Sequence, residues 1–378
     1  MKKLWLLSPF ILSMLVSPLF GDEEMSVLMD NNEIAKCTYL GQKRNMNAER
    51  SESEMDYRLP ADFWGVDTFA EYLIWQVQEQ ASYFTVNDTP LRFDPNYPDT
   101  YAQGHVRSQA FDWSSGVRVG AGYSFGRDVW QVLGQYTWYT TSGQSSFGVN
   151  APLLNTFVMP TLTNVTVNGP VNASSNSDFS YQMADLTLAS AFLATKQIQF
   201  NYSFGATGGF IKEHWNVQYH DAGGPGTGVS TYNHNDWAFG GGGLRAGLDT
   251  NWHVGRGFGF FGKVSFAAVL GQYTNHERIT NDTSSSTAAN IIANSTYQGI
   301  MLLPTSQFIL GADWCRTFSD CSVSAIRISI AGELNHLSDL QQVFKTTYIN
   351  TPTQDKNTTR DVGSVYMYGG TAHFGIDY

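Results

Sequence analysis

The chain has 378 residues, of which 15% are charged, 14% are aromatic and 36 are glycine, and its formal net charge at pH 7 is −11. This acidity argues against a nucleic-acid partner. Few charges combined with many aromatic residues and glycines suit a sheet with a large apolar outer surface.

The first 21 residues have the pattern of a secretory signal, in which a charged start precedes the apolar stretch 4–20 and the small residue Gly21. Residues 22–61 are polar and rich in Glu, Ser, Asn and Met, which predicts a poorly ordered periplasmic tail. After the signal no apolar run is long enough for a transmembrane helix, so a bilayer could be crossed only by a closed barrel. We predict a signal peptide at 1–21, a tail at 22–61 and one barrel domain at 62–378.

Period-2 alternation of apolar and polar side chains runs through the rest of the chain and predicts β-strands. The predicted strands, in chain order, are 66–78, 109–125, 129–140, 179–192, 198–212, 236–252, 258–272, 301–315, 322–336 and 362–378. The first is ambiguous in facing, because Tyr72 and Ile74 compete with Leu73 and Trp75 for the apolar face. Ten strands become twelve if residues 157–171 contain a further hairpin.

Connections between these strands alternate in length, with short turns near 126–128, 193–197, 253–257 and 316–321 and long loops between them. Short turns on one rim and long loops on the other are typical of an outer-membrane barrel with its turns in the periplasm. The fold class predicted is therefore all-β, a transmembrane up-and-down antiparallel barrel of about ten strands. The alternative is a secreted soluble sandwich, whose aromatic residues would lie in the middle of the strands.

Aromatic residues concentrate where the two membrane interfaces would lie. The predicted turn-side girdle contains Tyr123, Phe125, Trp130, Trp252, Phe258, Trp314 and Tyr378. The predicted loop-side girdle contains Phe111, Trp113, Tyr136, Trp138, Trp237, Tyr366 and Tyr368. The terminal strand ends with Phe374, Ile376 and Tyr378 on its apolar face, which resembles the assembly signal of bacterial outer-membrane barrels. Outer-membrane lipid and the barrel assembly machinery are the partners that this implies, and a homo-oligomer is left open.

Charged residues of the polar parity should face the lumen. They are Asp112, Arg118, Asp185, Arg245, Asp249, Lys263, Asp313, Arg327 and Glu333. Five acidic and four basic groups nearly cancel, so they could line a narrow hydrated path or pair into a network that closes the barrel. Barrels of about eight strands are filled by side chains, and ten lies near that end. The acidity of the chain favours a weak preference for cations.

Three cysteines occur, and Cys315 and Cys321 flank a short turn with side chains on the same face, which predicts a disulfide in an oxidising compartment. Cys37, in the tail, is then left over. The GGGG run at 240–243 predicts a thin place in a strand, approached by backbone or by a bulky neighbour.

Histidines near residues 213–235 raise the alternative of a hydrolase site. They are His214, His220 and His234, with Asp221 and Asp236 beside them. Their spacing does not specify a nucleophile or a paired-carboxylate site. We expect no enzymatic activity, no cofactor and no bound metal.

Four segments, WGVDTFAEYLIWQVQEQ (64–80), GADWCRTF (311–318), AGELNHL (331–337) and the terminal HFGIDY, together resemble the Legionella-type major outer membrane protein family. The resemblance implies a pore-forming outer-membrane barrel, of a kind also found in chlamydia-related bacteria, with no catalytic residues. The function expected is passive, porin-like diffusion of ions or small solutes. The alternatives are a structural or adhesive surface barrel with a closed lumen and, as a minor one, a surface hydrolase.

Overall fold

The computed structural model describes residues 65–88, 104–125, 130–148, 157–158, 162–163, 172–193, 197–220, 230–255, 257–282, 290–317, 325–348 and 356–378. Ten long strands form the wall of one closed sheet. They are β1 (Gly65–Glu79), β2 (Ser114–Phe125), β3 (Trp130–Gly148), β4 (Asn172–Leu193), β5 (Ile198–His220), β6 (Ser230–Gly255), β7 (Phe258–Asp282), β8 (Asn290–Thr317), β9 (Ala325–Tyr348) and β10 (Lys356–Asp377). The predicted signal peptide and tail lie outside the described residues.

Each wall strand pairs antiparallel with the next along the chain, and β1 pairs with β10 to close the barrel. The closing register sets Asp67 opposite Asp377 and Glu79 opposite Val365. The ten-strand prediction is confirmed. The twelve-strand alternative is wrong, because the two short strands of that region, Phe157–Val158 and Leu162–Thr163, are two residues each and add no hairpin to the wall.

Strands of the wall are longer than predicted, and most of the extra length is on the loop side. For example, β5 has 23 residues and β8 has 28, so much of the predicted loops at 213–235 and 273–300 is strand. Beyond Phe210 the outward positions of β5 become polar, beginning with Lys212 and His214. Apolar alternation therefore ends before the strand does, which is why the pattern placed the boundary too early.

The outward face carries a continuous band of exposed apolar side chains, including Leu186, Phe204, Leu244 and Phe266. On β1 the band ends between Ile74 and Gln76, on β5 between Phe210 and Lys212, and on β7 between Leu270 and Gln272. We take the strand portions within this band as the membrane-spanning segments. In the part of the chain that the structure describes, no helix is long and apolar enough to cross a membrane.

Aromatic residues border the band as predicted at most positions, among them Trp252, Phe258 and Tyr378 on the turn side and Tyr136 and Trp138 on the loop side, all of which are exposed. Two members of the predicted loop-side girdle were assigned wrongly. Phe111 and Trp237 are each only 2% exposed and pack inside the barrel. Trp237 shares the parity of the inward residues of β6, and Phe111 precedes the first residue of β2.

The glycine run on β6 is a place of close approach between strands. A Cβ atom added at Gly240 would lie 2.9 Å from the ring of Phe210, and one at Gly241 would lie 2.6 Å from the carbonyl oxygen of Leu270. The predicted thin place is therefore confirmed. It keeps β5, β6 and β7 in contact where the inward side chains change from charged to apolar.

An irregularity on β9 adds side chains to the interior. The register with β10 shifts between Leu337 and Gln341, and Asp339 has a φ of 56°, in the left-handed region that few non-glycine residues adopt. As a result Leu337, Leu340 and Gln341 are all buried. The bulge thus supplies additional bulk to the lumen at the loop-side edge of the apolar band.

Candidate functional site

The turn-side half of the lumen contains a polar cavity of about 260 Å³. Six of the nine predicted lumen residues line it, namely Arg118, Arg245, Asp249, Lys263, Asp313 and Arg327. Asp185 and Glu333 are buried beside it and hydrogen bond to two of these arginines. Asp112 is placed differently: it is exposed, precedes β2 and does not line the cavity. The alternation extends into an irregular segment there, so parity no longer defines its facing.

Arg118 of β2 is the centre of a buried ion network. Its Nη1 lies 2.6 Å from Glu71 Oε2, its Nη2 lies 2.8 Å from Glu333 Oε1, and its Nε donates to the hydroxyl of Thr137 at 3.0 Å. The guanidinium also lies over the ring of Trp75, 5.5 Å from its centroid. Four different strands are thereby linked across the lumen, and a charge that would be costly to bury alone is fully paired.

Arg245 of β6 extends this network across the barrel. Its Nη1 donates to Asp185 at 2.9 Å, and its Nη2 donates to Ser265 at 2.7 Å and also to the amide oxygen of Gln307. The amide nitrogen of Gln307 in turn donates to Glu333 at 2.6 Å. A chain of hydrogen bonds therefore connects the Asp185–Arg245 pair to the Arg118 pairs at mid-lumen.

Lys263 of β7 differs from these arginines because it is exposed to the cavity. Its ammonium lies 5.7 Å from the ring centroid of Phe261, and it forms no ion pair within the described residues. Its cross-strand neighbour is Asp249 of β6, which also lines the cavity. Both side chains of this pair therefore face the free volume of the cavity.

Three acidic residues of the lumen were not predicted. Asp67 and Glu71 on β1 and Asp377 on β10 line the cavity, and Asp67 accepts a hydrogen bond from Gln131 at 3.0 Å. The cavity and the network beside it together contain seven carboxyl groups and four cationic side chains among the described residues. The sequence estimate of near cancellation was therefore wrong, and the formal balance is acidic. If the sequence had shown which face of β1 points into the lumen, Asp67 and Glu71 would have been identified.

Two histidines complete the lining. His373 of β10 approaches Glu71 with its Nδ1 at 3.0 Å and stacks on Phe69, and His253 of β6 lines the turn-side part of the cavity. Within the described ranges, no three His, Cys, Asp or Glu side chains are close enough together to hold a metal ion.

Above the cavity, on the loop side, an apolar layer fills the cross-section of the lumen. Its buried members are Leu73, Trp75, Val77, Phe111, Tyr139, Phe179, Met183, Ile211, Trp237, Phe239, Val269, Tyr273, Leu303, Leu337, Leu340, Val365 and Met367. We call this set the aromatic layer. Leu73, Trp75, Tyr139, Tyr273 and Met367 have 0% exposure, so these five side chains are completely enclosed by their neighbours.

A second polar level lies beyond the aromatic layer. Glu79, Glu213, Asn235, Asn275 and Glu277 are inward-facing and almost completely buried there. Several of their polar atoms have no hydrogen-bond partner in the described part of the chain, including Glu79 Oε1, Asn275 Oδ1 and Glu277 Oε1. From the turns to the loops, the lumen is thus polar, then apolar, then polar.

The remaining predicted residues lie away from this axis. Cys315 lies near the turn-side end of β8 and is buried. Cys321 and Cys37 are outside the described residues, so the disulfide stays a prediction. Phe374, Ile376 and Tyr378 share the outward parity at the end of β10. Their role as an assembly signal also stays a prediction.

The histidines of the alternative hydrolase site lie on the outward face of β5 and β6, on the loop side of the apolar band. His214 Nδ1 is 2.9 Å from Asp236 Oδ1, and His220 Nδ1 is 3.1 Å from Ser230 Oγ. His234 contacts Asn216, and Asp221 is outside the described residues. These are separate cross-strand pairs at the protein surface.

Comparison with solved structures finds other outer-membrane proteins with little sequence similarity. The outer membrane protease OmpT from Escherichia coli is 8% identical, with 83% of this chain and 96% of that chain covered and a TM-score of 0.38. A Pseudomonas aeruginosa FadL homologue is 11% identical, with 83% and 90% covered and a TM-score of 0.24. The P. putida toluene transporter TodX is 9% identical, with 84% and 90% covered and a TM-score of 0.29. With these identities and TM-scores, none of them bears on the activity of this chain.

No curated protein matches the chain. Residues 60–362 match the family described as "Legionella pneumophila major outer membrane protein precursor". That match covers most of the chain and nearly the whole described barrel, and it agrees with the lipid-facing band and the closed ten-strand sheet. The chain therefore belongs to the Legionella major outer membrane protein family and is an outer-membrane β-barrel protein of the bacterial cell.

Proposed function

We propose that this protein is a porin-like outer-membrane protein that passes ions or small solutes, preferring cations, when its aromatic layer is displaced. The observation that carries the proposal is the sequence of levels in the lumen: a charged cavity, an apolar layer and a second polar level on one axis. Hydrophobic constrictions between hydrated regions are one way in which channels gate. In this state the layer closes the path.

A preference for cations follows from the balance of charge in the turn-side cavity. The carboxyl groups exceed the cations there, and the two central arginines, Arg118 and Arg245, are engaged in ion pairs. An excess of fixed negative charge on the wall of a narrow path raises the local concentration of cations and lowers that of anions. Asp249 and Asp313, which line the cavity, are the groups that we expect to influence selectivity most.

A structural surface barrel with a permanently closed lumen is the second candidate. The burial of the aromatic layer favours it, since Trp75, Tyr139 and Tyr273 have no exposed surface. The unpartnered polar atoms beyond the layer favour the gated passage instead, because buried polar groups normally find a partner in protein or water. The exposed histidine pairs on β5 and β6 suggest no reaction, and we propose no enzymatic activity.

Single-channel recording of the refolded protein in planar bilayers tests passage directly. Trp75→Ala and Trp237→Ala each remove a large side chain from the aromatic layer, whereas Trp138→Ala removes one of the same size from the lipid-facing surface. We expect infrequent steps from the unaltered protein, more frequent or larger steps from the two layer variants, and no change from Trp138→Ala. Heat-modified electrophoretic mobility establishes that each variant is folded.

Selectivity is measured in the same bilayers with a salt gradient. The reversal potential should indicate cation preference, and Asp249→Asn combined with Asp313→Asn should reduce it. Folded layer variants that never conduct would refute the passage and leave the closed surface barrel. Conductance with anion preference would refute the charge argument alone.

A further inference from the structure

We propose that Glu79 of β1 and Glu213 of β5 share one proton, and that this proton holds the loop-side half of the lumen closed. Both carboxyl groups lie beyond the apolar band, because Glu79 follows Ile74 and Glu213 follows Phe210 on their strands. They are therefore outside the membrane-spanning segments. The proposal depends on the proposed passage only for its functional consequence.

The hydrogen bonds around the pair assign the proton. Glu213 accepts from the hydroxyl of Ser177 at 2.5 Å and from the indole nitrogen of Trp237 at 2.6 Å, so both of its oxygens already have donors. Glu79 accepts from the amide of Gln341 at 2.7 Å through Oε2, and the buried hydroxyl of Ser82 is a second hydrogen-bonding group beside this carboxyl. Within the described residues, its buried Oε1 is left without a hydrogen-bond partner of good geometry. The interaction between the two carboxyl groups raises the pKa of Glu79 and lowers that of Glu213, which favours the proton on Glu79. A proton on Glu79 Oε1, donated to Glu213, satisfies this orphaned atom.

The electrostatic environment of Glu79 and Glu213 also favours a shared proton. Glu79 is 4% exposed and Glu213 is 0% exposed, and no described Lys or Arg forms an ion pair with either. Burial raises the pKa of Glu79 well above its ordinary value, and the adjacent Glu213 raises that pKa further. Burial also raises the pKa of Glu213, against the lowering effect of its hydrogen bonds.

Other titratable groups face the pair from the neighbouring strands. Tyr273 of β7 is one of them, and its hydroxyl donates to the carbonyl oxygen of Gln342 on β9. The electrostatic effect of His214, on the outward face of β5, lowers the pKa of Glu213. Glu277 of β7 lies at the same level and titrates on its own, with a pKa raised by burial to about 7, so the experiment must remove it.

The pair is connected to the segment that follows β1, residues 80–88. Gln341, which donates to Glu79, also accepts a hydrogen bond from the backbone of Ala81 at 2.9 Å. Ala81 and Phe84 are buried in this segment, and Phe84 receives a hydrogen bond from Tyr219 of β5 at 2.7 Å. Loss of the shared proton would leave two carboxylates that repel each other at this junction. Their repulsion would weaken the contact of β1 and its following segment with β5.

The test uses the full-length mature protein refolded in detergent, with Glu277→Gln as the common background. Urea unfolding is followed from pH 5 to pH 9 for this background, for Glu79→Gln and for Glu213→Gln, with Asp178→Asn as a control for an exposed carboxyl group on β4. A carboxyl group with a raised folded-state pKa stabilises the fold below its unfolded-state pKa. That contribution is lost as the pH rises through the window up to the folded-state pKa.

In the background protein the unfolding equilibrium constant should therefore rise with pH by up to about tenfold per pH unit. Glu79→Gln mimics the protonated carboxyl group and should make that rise clearly smaller. Glu213→Gln should be less stable than Glu79→Gln at pH 7, because its single amide oxygen cannot serve both Ser177 and Trp237. The control should behave as the background does.

Equal pH dependence in the background and Glu79→Gln, or greater stability of Glu213→Gln, would overturn the proposal. If Glu79→Gln does not fold, infrared spectra of the background labelled with ¹³C-carboxyl glutamate decide it. A protonated glutamic-acid band that persists at pH 7 supports the shared proton, and its absence overturns it. Conductance is not needed for either readout, so a failure of the proposed passage is distinguishable from a failure of this proposal.

Discussion

Replacement of Arg118 by methionine should destabilise the barrel more than any other single loss of charge in the lumen. The methionine keeps most of the length of the side chain but removes the contacts to Glu71, Glu333 and Thr137. Glu333 is then a carboxylate with 0% side-chain exposure that faces a second carboxylate, Glu71, across the space that the guanidinium occupied. Removal of one partner from a buried ion pair costs about 3–5 kcal/mol, mostly through the charge left unpaired.

Urea unfolding of the refolded barrel at pH 7, followed by tryptophan fluorescence, measures this cost. Arg278→Met is the matched control, because Arg278 is exposed on the outward face of β7, and it should change the free energy of unfolding by no more than about 0.5 kcal/mol. Arg118→Met combined with Glu71→Gln and Glu333→Gln should recover much of the loss, since no unpaired charge remains. A loss below about 1 kcal/mol for Arg118→Met, or a triple variant less stable than the single one, would refute the argument that charge burial dominates at this site.

Three further predictions concern the outer surface, the second polar level and assembly. Leu186→Arg places a charge on the lipid-facing band and should cost about 2–4 kcal/mol in refolding into lipid vesicles, whereas Gln131→Arg in the cavity should cost clearly less; equal costs would contradict the facing assignment. Glu277→Gln should stabilise the protein at pH 8 by at most about 3 kcal/mol and leave it unchanged near pH 4.5, because the stabilising effect of a carboxyl group whose pKa is raised to about 7 is lost as the pH rises between those values. Urea unfolding at both pH values measures this, and an effect at pH 4.5 would count against it. Phe374→Ala with Tyr378→Ala should lower the amount of heat-modifiable protein in the outer membrane of a bacterial host more than Val362→Ala does, and equal amounts would argue against the assembly signal.

The wall of the barrel could be predicted because lipid imposes one rule on every outward position. Leu186 and Leu248 must be apolar whatever their neighbours are, and that requirement gave the strand number and the facing of most strands. No comparable rule applies to inward positions. On β1 the inward face carries Asp67 and Glu71 and then Leu73 and Trp75, so it matches neither a lipid-facing nor a polar strand, and its facing stayed ambiguous.

That ambiguity on one strand explains both errors about the lumen. With β1 unassigned, the two carboxyl groups at its turn-side end were left out of the charge balance, and Leu73 and Trp75 were not recognised as part of an internal layer. Trp237, on β6, was placed in the girdle for a different reason, since aromatic residues suit both a membrane interface and a packed interior. What separates the two environments is contact between strands distant in sequence. The ring of Trp237 packs against Phe179 of β4 and Tyr273 of β7, and such contacts follow from closure of the barrel rather than from any local pattern.

Closure also explains why the charged and apolar levels adjoin. Arg118 lies over the ring of Trp75, and the hydroxyl of Tyr139 donates to the backbone carbonyl of Trp75 at 2.8 Å, so Trp75 contacts the ion network on one side and the aromatic layer on the other. A change that moves Trp75 must therefore disturb both levels. We expect Trp75→Ala to alter ion selectivity as well as conductance, whereas Trp237→Ala, whose indole contacts Glu213 on the loop side, should alter conductance and its pH dependence but leave selectivity unchanged. If the two variants shift the reversal potential equally, the cavity and the second polar level do not act as separate compartments.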